Sequence, residues 1–136
     1  MEKHFVTYKQ ALDLKDLGFK GSCFGEWRQW DGGYPWLQLY QDLDGCSTDD
    51  SDYQYTTEAL APLKSQVFEW FREKHNFIGV VGLFSISNQG ISSFEFHVDK
   101  IHYIGPSNFQ EFVGFKTYGE AESACIDKLI EICNDK

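Results

Sequence analysis

One amphipathic stretch near the middle of the chain most constrains the fold. Residues 61–76 read APLKSQVFEWFREKHN. Their apolar side chains recur at helical spacing and form one stripe, at Leu63, Val67, Trp70 and Phe71. Pro62 suits the first turn of a helix, and Asn76 suits the left-handed residue that ends one. The stretch therefore predicts a central helix, and a stripe this aromatic needs a sheet to pack against.

Two further helices are predicted from capping boxes, in which a Thr side chain and a Gln or Glu three residues later satisfy each other's backbone N–H groups. The first box is Thr7 with Gln10, and its helix ends at Gly18, after which Phe19 can fold back. The second box is Thr117 with Glu120. Its helix carries one wide apolar face, made of Ala121, Cys125, Ile126, Leu129, Ile130, Ile132 and Cys133.

The segments between the helices indicate strands. Residues 23–30 and 36–41 are aromatic-rich runs on either side of Gly32-Gly33, which is a hairpin signal. A two-residue turn there pairs Gln29 with Trp36 and Trp27 with Gln38. Further strands are predicted in order along the chain, as a short edge strand at 53–56, a central strand at 77–86, a half-buried strand at 92–99 and a short strand at 109–115.

The element order predicts an α+β fold in which three helices accompany one mainly antiparallel sheet. With 136 residues the chain is expected to form a single domain spanning 1–136. No apolar run reaches the roughly 20 residues of a membrane span, and the N-terminus has no apolar secretion signal. The four cysteines lack CxxC spacing, which is typical of reduced thiols. We therefore expect a cytoplasmic protein without a membrane association.

Charge and aromatic content narrow the partners. The net charge of −9 disfavours direct nucleic-acid binding, because phosphate backbones repel an acidic chain. Such a chain can instead meet a basic protein surface. Aromatic residues make up 17% of the sequence, which exceeds what a core of this size needs. Some aromatic rings are therefore expected on the surface, where they anchor binding sites.

The patterns that suggest chemistry each have a simpler explanation. Residues 42–52 form an acidic loop that could hold calcium, but they lack the EF-hand register, so a solvated loop and no metal are expected. His97 lies between Glu95 and Asp99, which fits either a proton relay or an exposed strand face. Cys125 and Cys133 fall within an apolar stripe and are expected to be buried thiols. We predict no catalytic residues and no cofactor.

The hairpin is the best candidate for a binding site. It concentrates rigid aromatic rings and a guanidinium, which together can stack on a planar ligand or fill a partner's pocket. The candidate residues are Trp27, Arg28, Trp30, Tyr34 and Trp36. The alternative is that half of these rings pack under the central helix as part of the core.

Three stretches resemble a group of small proteins from gut Bacteroidales, their phages and mobile elements. They run from Phe5 to Gly25, from Ala61 to Lys74 and from Lys116 to Ile132, and the matching positions cover about a third of the chain. The group has no established activity to carry over, so the resemblance implies a source and not a chemistry. Phage proteins of this size are often inhibitors or sequestering proteins.

The leading hypothesis is a non-catalytic interaction protein that binds and inhibits a host protein, such as a defence protein, in the cytoplasm of the bacterial host. The alternative is a small-molecule binder that sequesters a nucleotide signal, for which several cations would have to face one pocket. An acidic mimic of nucleic acid and an enzyme built on His97 rank below these two. The oligomeric state is left open.

Overall fold

A computed structural model describes residues 2–21, 23–30, 33–39, 55–87, 90–100 and 110–135. In these ranges the protein has three helices and two three-stranded antiparallel sheets, which confirms the predicted α+β class. The chain divides into two compact units, Met1–Leu63 and Lys64–Lys136. Each unit has its own sheet, whereas the sequence predicted one. The single-domain expectation for 1–136 stays a prediction.

The first unit places one helix against a three-stranded sheet. A 3₁₀ turn at Glu2–His4 precedes helix α1, Tyr8–Asp16, and strands β1, Gly25–Trp30, β2, Pro35–Leu39, and β3, Tyr55–Leu60. The strand order is β2-β1-β3, so β1 is central. Strand β3 extends beyond the short edge strand predicted at 53–56. The backbone of β3 is linked to α1 by the Lys15 ammonium, which donates to the Glu58 carbonyl at 2.9 Å.

Helix α1 begins and ends as its sequence predicts. The Thr7 hydroxyl accepts from the Gln10 N–H at 3.2 Å, and the Gln10 side chain accepts from the Thr7 N–H at 3.0 Å. At the other end Gly18 has a φ of +91°, and the Phe19 N–H donates to the Leu14 carbonyl at 2.9 Å. This closing pattern needs the left-handed residue that Gly adopts without strain.

The second unit contains the other two helices and the second sheet. Helix α2, Lys64–Trp70, is followed by strands β4, Phe77–Ser87, β5, Gly90–Lys100, and β6, Gln110–Phe115, and by helix α3, Tyr118–Asn134. The strand order is β4-β5-β6. Strand β5 is therefore central and β4 lies at an edge, which corrects the prediction that residues 77–86 form the central strand.

The central helix differs from its prediction in start and winding. It begins at Lys64, two residues after Pro62, and from Phe71 to His75 it continues as a π-helical turn. The Asn76 N–H donates to the Phe71 carbonyl, five residues back, and Asn76 takes the predicted left-handed conformation. Val67 and Phe71 are buried as predicted, whereas Trp70 is only half-buried where burial was predicted.

The core of the second unit forms where α3 lies on the sheet. The predicted apolar face of α3 is buried except for the half-buried Ile132. A Cβ at Gly79 of β4 would lie 2.7 Å from Cys125 Sγ, 3.0 Å from Phe68 Cε1 and 3.2 Å from Leu129 Cδ1. The absent side chain thus lets α2 and α3 approach the strand closely, as a glycine within a strand indicates.

The N-terminus of α3 forms only half of the predicted capping box. The Thr117 hydroxyl accepts from the Glu120 N–H at 3.1 Å, as predicted. The Glu120 carboxylate instead accepts from the Lys116 N–H at 3.2 Å, one residue before the cap. Over the described ranges no helix has the length and apolar character needed to cross a membrane.

Gly79→Ala is expected to lower the free energy of unfolding by about 1–3 kcal/mol, the usual cost of overpacking a core. The matched control is Gly82→Ala, since a Cβ there meets no atom within 4 Å. The control should change stability by less than about 1 kcal/mol and can be stabilising, because Ala restricts the unfolded chain. Urea unfolding of both variants checks this, and equal losses would contradict the close approach at Gly79.

Candidate functional site

The observed pairing of the hairpin differs by one residue from its prediction. Gln29 pairs with Pro35, Arg28 with Trp36 and Trp27 with Leu37. In an antiparallel pair, opposite residues share a face, so a one-residue shift exchanges every partner between faces. The shift therefore takes Trp36 from the face of Trp27, where the predicted register placed it, to the opposite face, which it shares with Arg28.

Trp27 belongs to the core of the first unit. Its side chain is 7% exposed, and its ring meets the edge of the Tyr8 ring from α1 with centroids 5.8 Å apart. In the ladder Trp27 lies between Leu37 and Ala59. Its burial matches the core alternative that the sequence left open, and its role in binding stays a prediction. The sequence placed it in the binding site because aromatic character alone does not tell a core ring from a recognition ring.

Arg28 is also buried, in an ion pair with Glu26 on the face opposite Trp27. Its Nε donates to Glu26 Oε1 at 2.6 Å, and its Nη2 lies 2.5 Å from the same oxygen. The two side chains are only 6% and 12% exposed. A buried guanidinium whose charge is already balanced has little left to offer an external ligand. Burial and this ion pair give Arg28 a structural explanation, and its role in recognition stays a prediction.

Tyr34 at the hairpin tip is the most exposed of the described candidate residues. Its side chain is 92% exposed. Trp36, one residue further than Pro35 along β2, is half-buried. The side chain of Trp30 lies outside the described part of the structure. Among the described candidate side chains, solvent therefore reaches Tyr34 and part of Trp36, and Trp30 stays a prediction.

Gln29 was missed by sequence reasoning, although it holds the tip in place. Its Nε2 donates to the Gly33 carbonyl at 2.8 Å, and its Oε1 accepts from the Tyr8 hydroxyl at 3.3 Å. The side chain thus links α1 to the backbone next to Tyr34. Pro35 adds a fixed φ immediately after the tyrosine. The sequence around Gln29 does not indicate this role, because its partners Tyr8 and Gly33 are brought next to it only by folding.

The first unit also has a cavity of about 310 Å³ between α1 and the outer side of β3. Its lining residues are Ala11, Lys15, Phe19, Glu58, Ala59 and Leu60. The walls are largely apolar, and the one basic side chain among them already donates to the Glu58 carbonyl. This arrangement offers a phosphate group one cation, fewer than the nucleotide hypothesis requires.

The other patterns that suggested chemistry are a metal site, the acidic loop and His97. Within the ranges that the structure covers, no three His, Cys, Asp or Glu side chains lie together as a metal site. The acidic loop at 42–52 lies outside the described residues, so the expectation that it binds no calcium stays a prediction. Glu95, His97 and Asp99 are half-buried along one face of β5.

Cys23 and Cys125 are poor nucleophiles. Burial raises the pKa of the Cys23 thiol to about 11. Burial, with a smaller contribution from the nearby Glu122 carboxylate, raises the pKa of the Cys125 thiol to about 12. A nucleophilic cysteine needs the opposite shift, toward the thiolate at neutral pH. Cys125 is also fully enclosed, in agreement with the buried thiol that the sequence predicts.

Alkylation of the folded protein should follow these raised pKa values. The labelling rate of Cys23 should rise about tenfold per pH unit through pH 9 and 10, because the thiolate fraction is still growing there. Cys125 should be labelled only after unfolding. Peptide mapping by mass spectrometry separates the sites. A Cys23 rate that levels off near pH 8.5, the ordinary range for a thiol, would contradict the shift.

Comparisons with known proteins leave this geometry to be interpreted on its own. No protein-family model, curated protein or solved structure matches the chain.

Proposed function

We propose that this protein is a non-catalytic interaction protein that binds a partner protein through the tip of the β1–β2 hairpin. The observation that carries the proposal is Tyr34, which is 92% exposed on a tip held by Gln29. A ring that is almost fully solvated contributes little to folding. Tyrosine is also among the residue types that dominate binding energy at protein interfaces.

The way the tip is held favours recognition over simple solvent exposure. The Gln29 side chain fixes the Gly33 carbonyl and in turn contacts Tyr8 of α1, and Pro35 restricts the backbone on the other side of Tyr34. A preorganised loop loses less conformational entropy when it binds. The phenol ring has few rotatable bonds and presents both an apolar body and a hydroxyl. Such a tip can insert into a pocket on a partner.

Overall charge indicates what kind of partner suits the tip. The net charge of −9 steers the protein toward basic surfaces and away from nucleic acid. The resemblance to proteins of gut Bacteroidales phages and mobile elements suggests that the partner is a host protein, such as a defence protein, met in the host cytoplasm. Occupying a functional surface of that protein would inhibit it without chemistry.

Sequestration of a nucleotide signal is the second proposal. It was expected to need several cations and aromatic rings around one pocket. Arg28 is paired with Glu26, and the cavity beside β3 has Lys15 as its basic residue. The largely apolar walls of this cavity suit a small apolar ligand. A nucleotide therefore has less support as the ligand than a protein has as the partner.

Replacing Tyr34 with Ala should separate binding from folding. The free energy of unfolding should change by no more than about 0.5 kcal/mol, because the ring is exposed. Partner binding should weaken by about 2 kcal/mol or more if the ring is a binding hot spot. The measurement is capture of a stoichiometric partner from a gut Bacteroidales host lysate, followed by titration with that partner. Tyr118→Ala is the control, since Tyr118 is 50% exposed on α3.

Equal binding by the wild type and the Tyr34 variant would remove the tip as the site. Failure to capture any stoichiometric partner from the host would count against the interaction function itself.

Trp27→Ala should give the opposite result, since Trp27 is a core residue. Truncation of a buried tryptophan typically costs about 3–5 kcal/mol. Thermal and urea unfolding of the purified variant measure that loss. A Trp27 variant that is as stable as the wild type would show that its ring is not part of the core and would restore it as a recognition residue.

A further inference from the structure

Three of the four sheet edges in the described ranges carry features that discourage pairing with another chain. Strand β2 begins with Pro35. Strand β3 has a bulge opposite β1, where Lys15 occupies the Glu58 carbonyl. Strand β6 contains Glu111 and a left-handed Gly114 with a φ of +96°, next to a register shift. Prolines, bulges and charges are the usual means of protecting an open edge.

Strand β4 forms the fourth edge, and its first half lacks this protection, since the register shifts in its pairing with β5 begin only after Leu83. Its sequence, FIGVVGLFSIS, has no charged residue and no proline. From Phe77 to Leu83 it pairs with β5 in continuous register. Along this regular half, Ile78, Val80 and Leu83 are 36%, 43% and 47% exposed. In the part of the chain that the structure describes, β4 pairs with β5 alone, so its other edge can accept a strand.

We infer that a second copy of this chain pairs with β4 in antiparallel register about a two-fold axis at Val80. A two-fold axis normal to the sheet pairs residues that face the same side, so the axis must pass through a residue position. With Val80 opposite Val80 of the second copy, Ile78 lies opposite Gly82 and Gly79 lies opposite Val81. Because of the two-fold axis, each copy contributes the same residues to the interface, and every contact away from the axis occurs twice.

The side chains of β4 fit this register. Gly82 lies on the same face as Ile78 and Val80, and a Cβ there would meet no atom within 4 Å. That open space can receive the Ile78 side chain of the second copy. The two Val80 side chains meet at the axis. Pairing would therefore cover apolar side chains, Ile78 and Val80, that are 36% and 43% exposed.

The absence of charge along β4 favours its pairing with a second copy, whereas the net charge of each copy lowers the affinity of the dimer. No like charges oppose each other along β4, and apposed like charges would be unfavourable. Each copy nevertheless carries a net charge of −9, so two copies repel at long range. Salt screens that repulsion. The dimer should therefore become tighter as the salt concentration rises, the opposite of an interface held by ion pairs.

Sedimentation velocity of the full chain over a range of concentrations tests the dimer. Val80→Lys should weaken it by about a hundredfold or more, since two ammonium groups would meet at the axis. Val113→Lys is the matched control, because Val113 is 48% exposed on β6 and lies on the same face of the sheet. The control should dimerise like the wild type.

A cysteine pair tests the register and guards against misfolding of the lysine variant. Under mild oxidation Val80→Cys should form a disulfide-linked dimer well above the wild-type background, because directly opposite Cβ atoms lie close together. Val81→Cys should not, since Val81 lies opposite Gly79. A wild-type chain that stays monomeric up to high concentration, or a dimer unaffected by Val80→Lys, would overturn the inference. Efficient linking through Val81 would overturn the register.

Discussion

The pairing register of β1 decides what the first unit can offer a partner. As the central strand it contacts β2 on one side and β3 on the other, so its alternation sets both faces of the sheet. Trp27 turns toward Tyr8 of α1, and Arg28 turns to the opposite face with Glu26. Both side chains are consequently buried. Tyr34, next to the end of β2, is by contrast 92% exposed.

In the second unit the corresponding constraint is the close approach at Gly79. The missing side chain admits Cys125, Phe68 and Leu129 to within contact distance of the strand. This contact places α2 and α3 on one face of β4, and it leaves the other face and the free edge of the strand uncovered by them. The same strand thus joins a tightly packed side to an exposed apolar side, which is the arrangement that favours pairing with another copy.

The proposed binding tip and the proposed dimer edge lie in different units and are supported by different observations. If both hold, each dimer carries two hairpin tips, and a partner with repeated or clustered sites would gain avidity without any new contact. An inhibitor that works by occupying a surface benefits from slow release, and avidity supplies it. Neither feature requires a catalytic group, in keeping with described thiols whose pKa values are raised by burial.

Local chemistry was enough to predict the helices at both ends and the α+β class. The Thr7 box, the left-handed Gly18 and Asn76, and the apolar face of α3 depend on side chains within a few residues of one another, so the sequence alone determined them. The register of the hairpin, the π-helical turn after Trp70 and the edge position of β4 depend on contacts between distant segments. Aromatic residues look alike in sequence, and only the tertiary structure separated Trp27 in the core from Tyr34 in solvent, because burial is a property of neighbours that the chain brings together by folding.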